Sequence, residues 1–126
     1  MPPAFLPISA LPETRRDIDG AERSLKADIA RMKKLLADRD ATLPPSIAEV
    51  PLREAKEALD RLAVHSQQLT RWQQDAITDA ERVEVVRLRA IIPEIRPLIQ
   101  RSIALATELD RRARTGAVSP RKKWRH

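Results

Sequence analysis

The sequence predicts an all-α protein: an elongated antiparallel array of three helices, hairpin or coiled-coil in style, with one long central helix. Three observations carry this. Ala, Glu, Lys, Leu and Arg supply 65 of the 126 residues, the composition of long helices. Two glycines, Gly20 and Gly116, leave almost no β-turn chemistry. Apolar residues also recur at alternating spacings of three and four through most of the chain, the signature of a helix presenting one seam.

Residues 1–11 form a Pro-rich lead in which Phe5, Leu6 and Ile8 are the docking candidates, though an extended, frayed terminus is the expectation. A first helix is placed at about 12–40. Pro12 suits a first helical position and Glu13 and Asp17 suit an N-terminal turn; Asp19-Gly20-Ala21-Glu22 offers a second start. Ile18, Leu25, Ile29, Met32 and Leu36 make its stripe. Pro44-Pro45 marks the connection. Ser46-Ile47-Ala48-Glu49 resembles a capping box, but Pro51 argues for a turn followed by a helix from about residue 51.

The second helix, about 51–92, has the longest pattern. Leu52, Ala55, Leu59, Leu62, Ser66, Leu69, Gln73, Ala76, Ala80, Val83, Arg87 and Ala90 keep the 3-4 spacing without a slip. Roughly forty residues at 1.5 Å rise would span about 60 Å. A break near Asp75–Asp79, where Thr78-Asp79-Ala80-Glu81 is another capping box, gives the alternative, a compact four-helix bundle. Pro93 and Pro97 are expected to end or sharply bend the helix. A last helix, about 94–114, would bury Ile95, Ile99, Ile103, Ala106, Leu109 and Ala113, with Gly116 as its C-cap. The helical body is thus 12–115.

No constellation supports catalysis, so the chain is read as a non-enzyme with no cofactor, no metal and no small-molecule substrate. There is no cysteine, no Gly-rich phosphate loop and no Glu-x-x-His pattern. His65 stands without a second metal-ligating residue type in register and reads as a half-buried or surface side chain. Glu57–Arg61 is expected to pair, while Asp75 is expected to be merely solvated. Trp72 reads as a large residue covering the edge of the seam. With no leader pattern and no apolar run of membrane length, a soluble, cytoplasmic protein is expected.

The charge is unevenly placed. From Arg111 to His126 there are seven Lys/Arg and no acid, so the remaining 17 basic side chains face all 18 carboxylates. The formal +6 therefore belongs to one end, which is expected to be a disordered basic tail over 116–126. Flexible cations can follow phosphates, and Trp124 among them can stack on an unpaired base. The expected nucleic-acid contacts are Arg111, Arg112, Arg114, Arg121, Lys122, Lys123, Trp124 and Arg125. The expected homo-oligomer interface is Leu52, Leu59, Leu62, Leu69, Trp72, Ala76 and Val83.

The functional expectation is a self-associating helical adaptor or scaffold whose tail holds a polyanion, nucleic acid before an acidic protein, and either before a membrane surface. Two alternatives are a regulator reading DNA with its helical body and a virion or genome-packaging accessory oligomer. The near-neutral body and the lack of a helix–turn–helix weigh against the first. The second is an analogy of architecture.

Overall fold

The computed structural model describes residues 6–76 and 78–118. A 3-10 turn, Ile8–Ala10, leads into helix α1, Leu11–Ala37; helices α2, Glu49–Asp75, and α3, Asp79–Val118, follow, with no strand among the described residues. No helix there is long and apolar enough to cross a membrane. The all-α reading with three helices holds, but the long helix is the third and not the second.

That correction has a local cause. Ala76 takes an extended conformation with φ −65° and ψ 126°, which stops α2. Two residues later the capping box closes: the Thr78 N–H donates to Glu81 Oε1 at 2.9 Å, and the Glu81 N–H donates to Thr78 Oγ1 at 3.1 Å. Two N-terminal amides are thereby satisfied, and a new helix starts. The 3-4 pattern through residues 52–90 conceals the break because a second pattern overlaps it. In α3 the buried stripe is Val85, Leu88, Ile92, Ile95, Ile99, Ser102, Ala106, Leu109 and Ala113, also at 3-4 spacing. Val83, Arg87 and Ala90 consequently face outward.

The second stripe runs straight through Pro93 and Pro97, so neither proline ends the helix. Each lacks the N–H that would bond the carbonyl four residues back, at Arg89 and Pro93. Both rings lie on the side of α3 turned away from α1 and α2, so they do not clash with the packing. The buried aliphatic row on the opposite side keeps the helix together. Because α3 does not break there, the four-helix alternative fails even though the 75–79 break is real. The helix also continues past Gly116, which is therefore not its C-cap.

The other boundaries shift for similar reasons. Helix α2 starts at Glu49 with no side-chain cap, so the Ser46–Glu49 box does not form. Pro51 falls in the first turn, where its missing N–H costs nothing. Ile47 and Glu49 instead donate to Pro44 O and Ser46 O in a tight turn, both at 3.0 Å.

Helix α3 is the central element: α1 and α2 each pack along it and touch one another little. Helix α2 returns antiparallel. Helix α1 runs parallel to α3, with Arg87 bonded to Asp19 near one end and Arg112 bonded to Leu36 near the other. One core cluster joins Leu11, Ile18 and Leu25 of α1 and Leu62, Leu69 and Trp72 of α2 to Val85–Ile99 of α3. A smaller one joins Met32 and Ala48 to Ala106 and Leu109.

Two substitutions test the local account. Gly20 lies inside α1, and a Cβ there would meet nothing within 4 Å. Gly20→Ala should raise stability by about 0.5–1 kcal/mol. Thr78→Ala should lower it by about 1 kcal/mol through loss of the cap. Shifted urea midpoints at unchanged m-value are the measurement.

Candidate functional site

The first three of the seven basic residues, Arg111, Arg112 and Arg114, belong to helix α3. Arg111 donates through Nε to Glu108 at 3.1 Å, with a second guanidinium contact to the same carboxylate. This hydrogen bonding holds the Glu108 carboxyl below the usual range and raises Arg111. Both groups lie at the surface, so the pair fixes local charge and adds little stability. Arg114 donates to Asp110 at 2.9 Å, one turn back.

Arg112 has a different task. Its Nη1 donates to Leu36 O at 2.9 Å and Leu35 O at 3.4 Å, and its Nη2 donates to Asp38 O at 2.5 Å. The last carbonyls of a helix have no intrahelical donors and carry partial negative charge. Arg112 thus caps the C-terminus of α1 from α3, and this engages it structurally. Arg121, Lys122, Lys123, Trp124 and Arg125 lie outside the described residues.

The expected oligomer interface divides in the same way. Leu62, Leu69, Trp72 and Ala76 are buried inside the chain's own core. Leu52 is half-buried against the cluster formed by Met32, Ala48, Ala106 and Leu109. Only Leu59, 40% exposed, and Val83, 69% exposed, remain as surface side chains. The seam is spent on packing α2 against α3, because the break after Ala76 lets the two helices fold onto each other.

Several polar contacts escaped the sequence reading. The N-terminal lead is held by its backbone: Leu6 N–H donates to Gln68 Oε1 at 3.2 Å, while Gln68 Nε2 and Trp72 Nε1 donate to Leu6 O at 2.9 and 2.8 Å. Gln68 and Trp72 are both buried, so the lead completes two side chains that would otherwise lack partners. Residues 6–11 are accordingly not a frayed extension. No spacing rule pairs residue 6 with residues 68 and 72; the one available signal is that a buried Trp or Gln must find a partner.

His65 Nε2 lies 2.5 Å from Asp17 Oδ2, joining α2 to α1. Arg87 bridges α3 to α1, donating to Asp19 at 3.1 Å and to Glu84 at 2.8 Å. The Arg87 hydrogen bond holds the Glu84 carboxyl below the usual range against some desolvation, with Arg15 adding to the effect. The expected Glu57–Arg61 pair does not form, and Asp75 is bonded to Arg71 at 3.3 Å rather than merely solvated.

Because α1 and α2 barely meet, an open cleft of about 230 Å³ lies between them, walled by Gly20, Ala21, Ser24, Ala55 and Ala58 and bordered by Ser102. Its rim carries both signs of charge: Arg16 and Arg61 with Asp17, Asp28 and Glu54. Among the described residues no group of three or more His, Asp or Glu side chains could hold a metal. Comparison with protein-family models, curated proteins and solved structures gives no significant match to this chain.

Arg112→Met keeps much of the stem's packing and removes the cap. It should cost about 1–3 kcal/mol and speed amide exchange in the last turn of α1. Glu84 should make stability acid-sensitive. With a folded pKa below the usual 4.5, its contribution is full above that value and fades as pH falls through the lower folded one. Glu84→Gln should therefore flatten the loss of stability between about pH 5 and 3 in denaturation series.

Proposed function

We propose that this protein is a non-enzymatic helical adaptor whose three-helix body presents a cationic C-terminal segment to a polyanion, nucleic acid in the first instance. The observation that carries this reading is the segregation of charge: 16 residues with seven cations and no acid follow a body whose charges nearly cancel. Helix α3 bears on where the attraction is expected to reside. Arg111 and Arg114 are neutralised by Glu108 and Asp110, and Arg112 is occupied by α1 carbonyls. On this reading the attraction falls to Arg121, Lys122, Lys123 and Arg125, with Trp124 among them in sequence as a residue that can stack on a base.

Self-association is not the foundation of this reading, since most of the side chains expected to mediate it are buried within one chain. A membrane surface ranks below nucleic acid because a lone Trp among four cations offers little apolar area for insertion.

Salt dependence separates the two sets of cations. Engagement of only the four terminal cations on duplex DNA gives a log–log slope near −4, whereas all seven would give about −6. The expected outcome is a slope near −4 for the full chain in a fluorescence-anisotropy titration, and loss of most binding in a chain ending at Val118. Undiminished binding by the shortened chain would transfer the activity to the body and refute the reading.

A further inference from the structure

The outward side of α3 carries a second 3-4 pattern that nothing in the described structure covers. Val83, Val86, Ala90, Pro93 and Pro97 are all exposed, Val83 to 69% and Val86 to 59%. A solvated face has no need of apolar residues at coiled-coil spacing, and this row lies opposite the buried one. Beside it stands a ridge of arginines at seven-residue intervals: Arg82, Arg89 and Arg96. Arg82 is bonded to Asp79, but no carboxylate among the described residues pairs with Arg89 or Arg96. The other flank holds Arg87, Glu94 and Arg101.

We infer that this face of α3, from Val83 to Pro97, docks an acidic amphipathic helix of another protein. Charge decides the occupant. In a heptad frame the apolar row takes the two core positions and the flanks take the positions that face a partner's flanks. A parallel second copy would set Arg82 against Arg87 and Arg96 against Arg101, with Arg89–Glu94 the one pair of opposite sign; an antiparallel one would set the arginine ridge against itself. Either arrangement opposes more like charges than unlike ones, which is how coiled coils reject partners. The chain's own C-terminal segment is cationic and is repelled for the same reason. A bilayer gains little from Val, Ala and Pro, which have no aromatic or long apolar side chain to insert. A helix with small or branched apolar residues on its seam and Glu or Asp on its flanks satisfies both the row and the ridge.

The test uses the full chain and a labelled synthetic peptide helix with Leu on the seam and Glu on both flanks. A scrambled peptide of equal composition and a Lys-flanked version serve as controls. The Glu peptide should bind in anisotropy measurements, and the scrambled one should bind at least about tenfold more weakly. Arg89→Glu with Arg96→Glu should weaken the Glu peptide about tenfold and create binding of the Lys peptide. Circular dichroism checks that the variant stays helical; if it does not, Arg89→Gln with Arg96→Gln should show a smaller loss.

Equal binding of Glu and scrambled peptides, or no change on charge reversal, overturns the inference. So does sedimentation showing a dimer abolished by Val83→Glu, or capture by anionic vesicles that charge reversal removes while the peptide fails to bind. None of these outcomes touches the terminal segment, whose role stands or falls with the truncation at Val118.

Discussion

The buried row of α3 is the constraint on which the molecule depends. Nine side chains from Val85 to Ala113, spaced by threes and fours, give both other helices their packing surface. Apolar area removed from water contributes about 25 cal/mol per Å². A row of Val, Leu and Ile engaged on two sides therefore outweighs a local backbone defect of about 3 kcal/mol at a proline. That comparison explains why Pro93 and Pro97 sit inside a continuous helix and why both occupy the side away from the row. Remove the row and the prolines would regain their ordinary effect.

Packing of this kind fixes which faces meet but is tolerant of sliding, and polar contacts near the two ends of the α1–α3 pair supply the register. Arg87 ties α3 to Asp19 near the start of α1, and Arg112 ties it to the carbonyls at α1's end. Between them lie turns joined mostly by aliphatic contacts. The Asp17–His65 contact sets α2 against α1 where those helices otherwise meet sparsely. Arginine suits the Arg112 role because its planar fork reaches several carbonyls at once, which a lysine cannot do.

Much of the fold was legible because composition and periodicity are statements about helices. Most of the stripes expected in α1 and late α3 are buried, Ile18, Leu25, Met32, Ile95, Ile99 and Leu109 among them, while Leu36 and Ile103 are half-buried and Ser102 takes the buried place beside Ile103. The misreading came from residues 76–97, where two 3-4 patterns overlap two positions apart. A pattern count cannot say which row is buried. Only the partner helices decide that, and the Val85–Leu88–Ile92 row wins because it continues into Ile95 and Ile99. The Thr78–Glu81 box was visible, yet the uninterrupted spacing outranked it. In the candidate site, charge counting located the cationic end but could not anticipate that Arg112 would find α1's carbonyls 74 to 77 positions away in sequence. Long-range polar pairing leaves no period in a sequence. The Gln68–Trp72 hold on Leu6 was invisible for the same reason.

The parallel course of α1 and α3 also has an electrical consequence. The first turns of these two helices hold Glu13, Asp79 and Glu81, while Arg121, Lys122, Lys123 and Arg125 follow the far end of α3. The forty residues of α3 span roughly 60 Å. Asp79 pairs with Arg82, and Arg15 and Arg16 follow Glu13, so the end of the body where α1 and α3 begin is close to balanced and the charge excess lies in the sequence after α3. If the proposed polyanion binding holds, the attraction acts beyond one end of a 40-residue helix, and a pull applied at one end turns the helix into line with it.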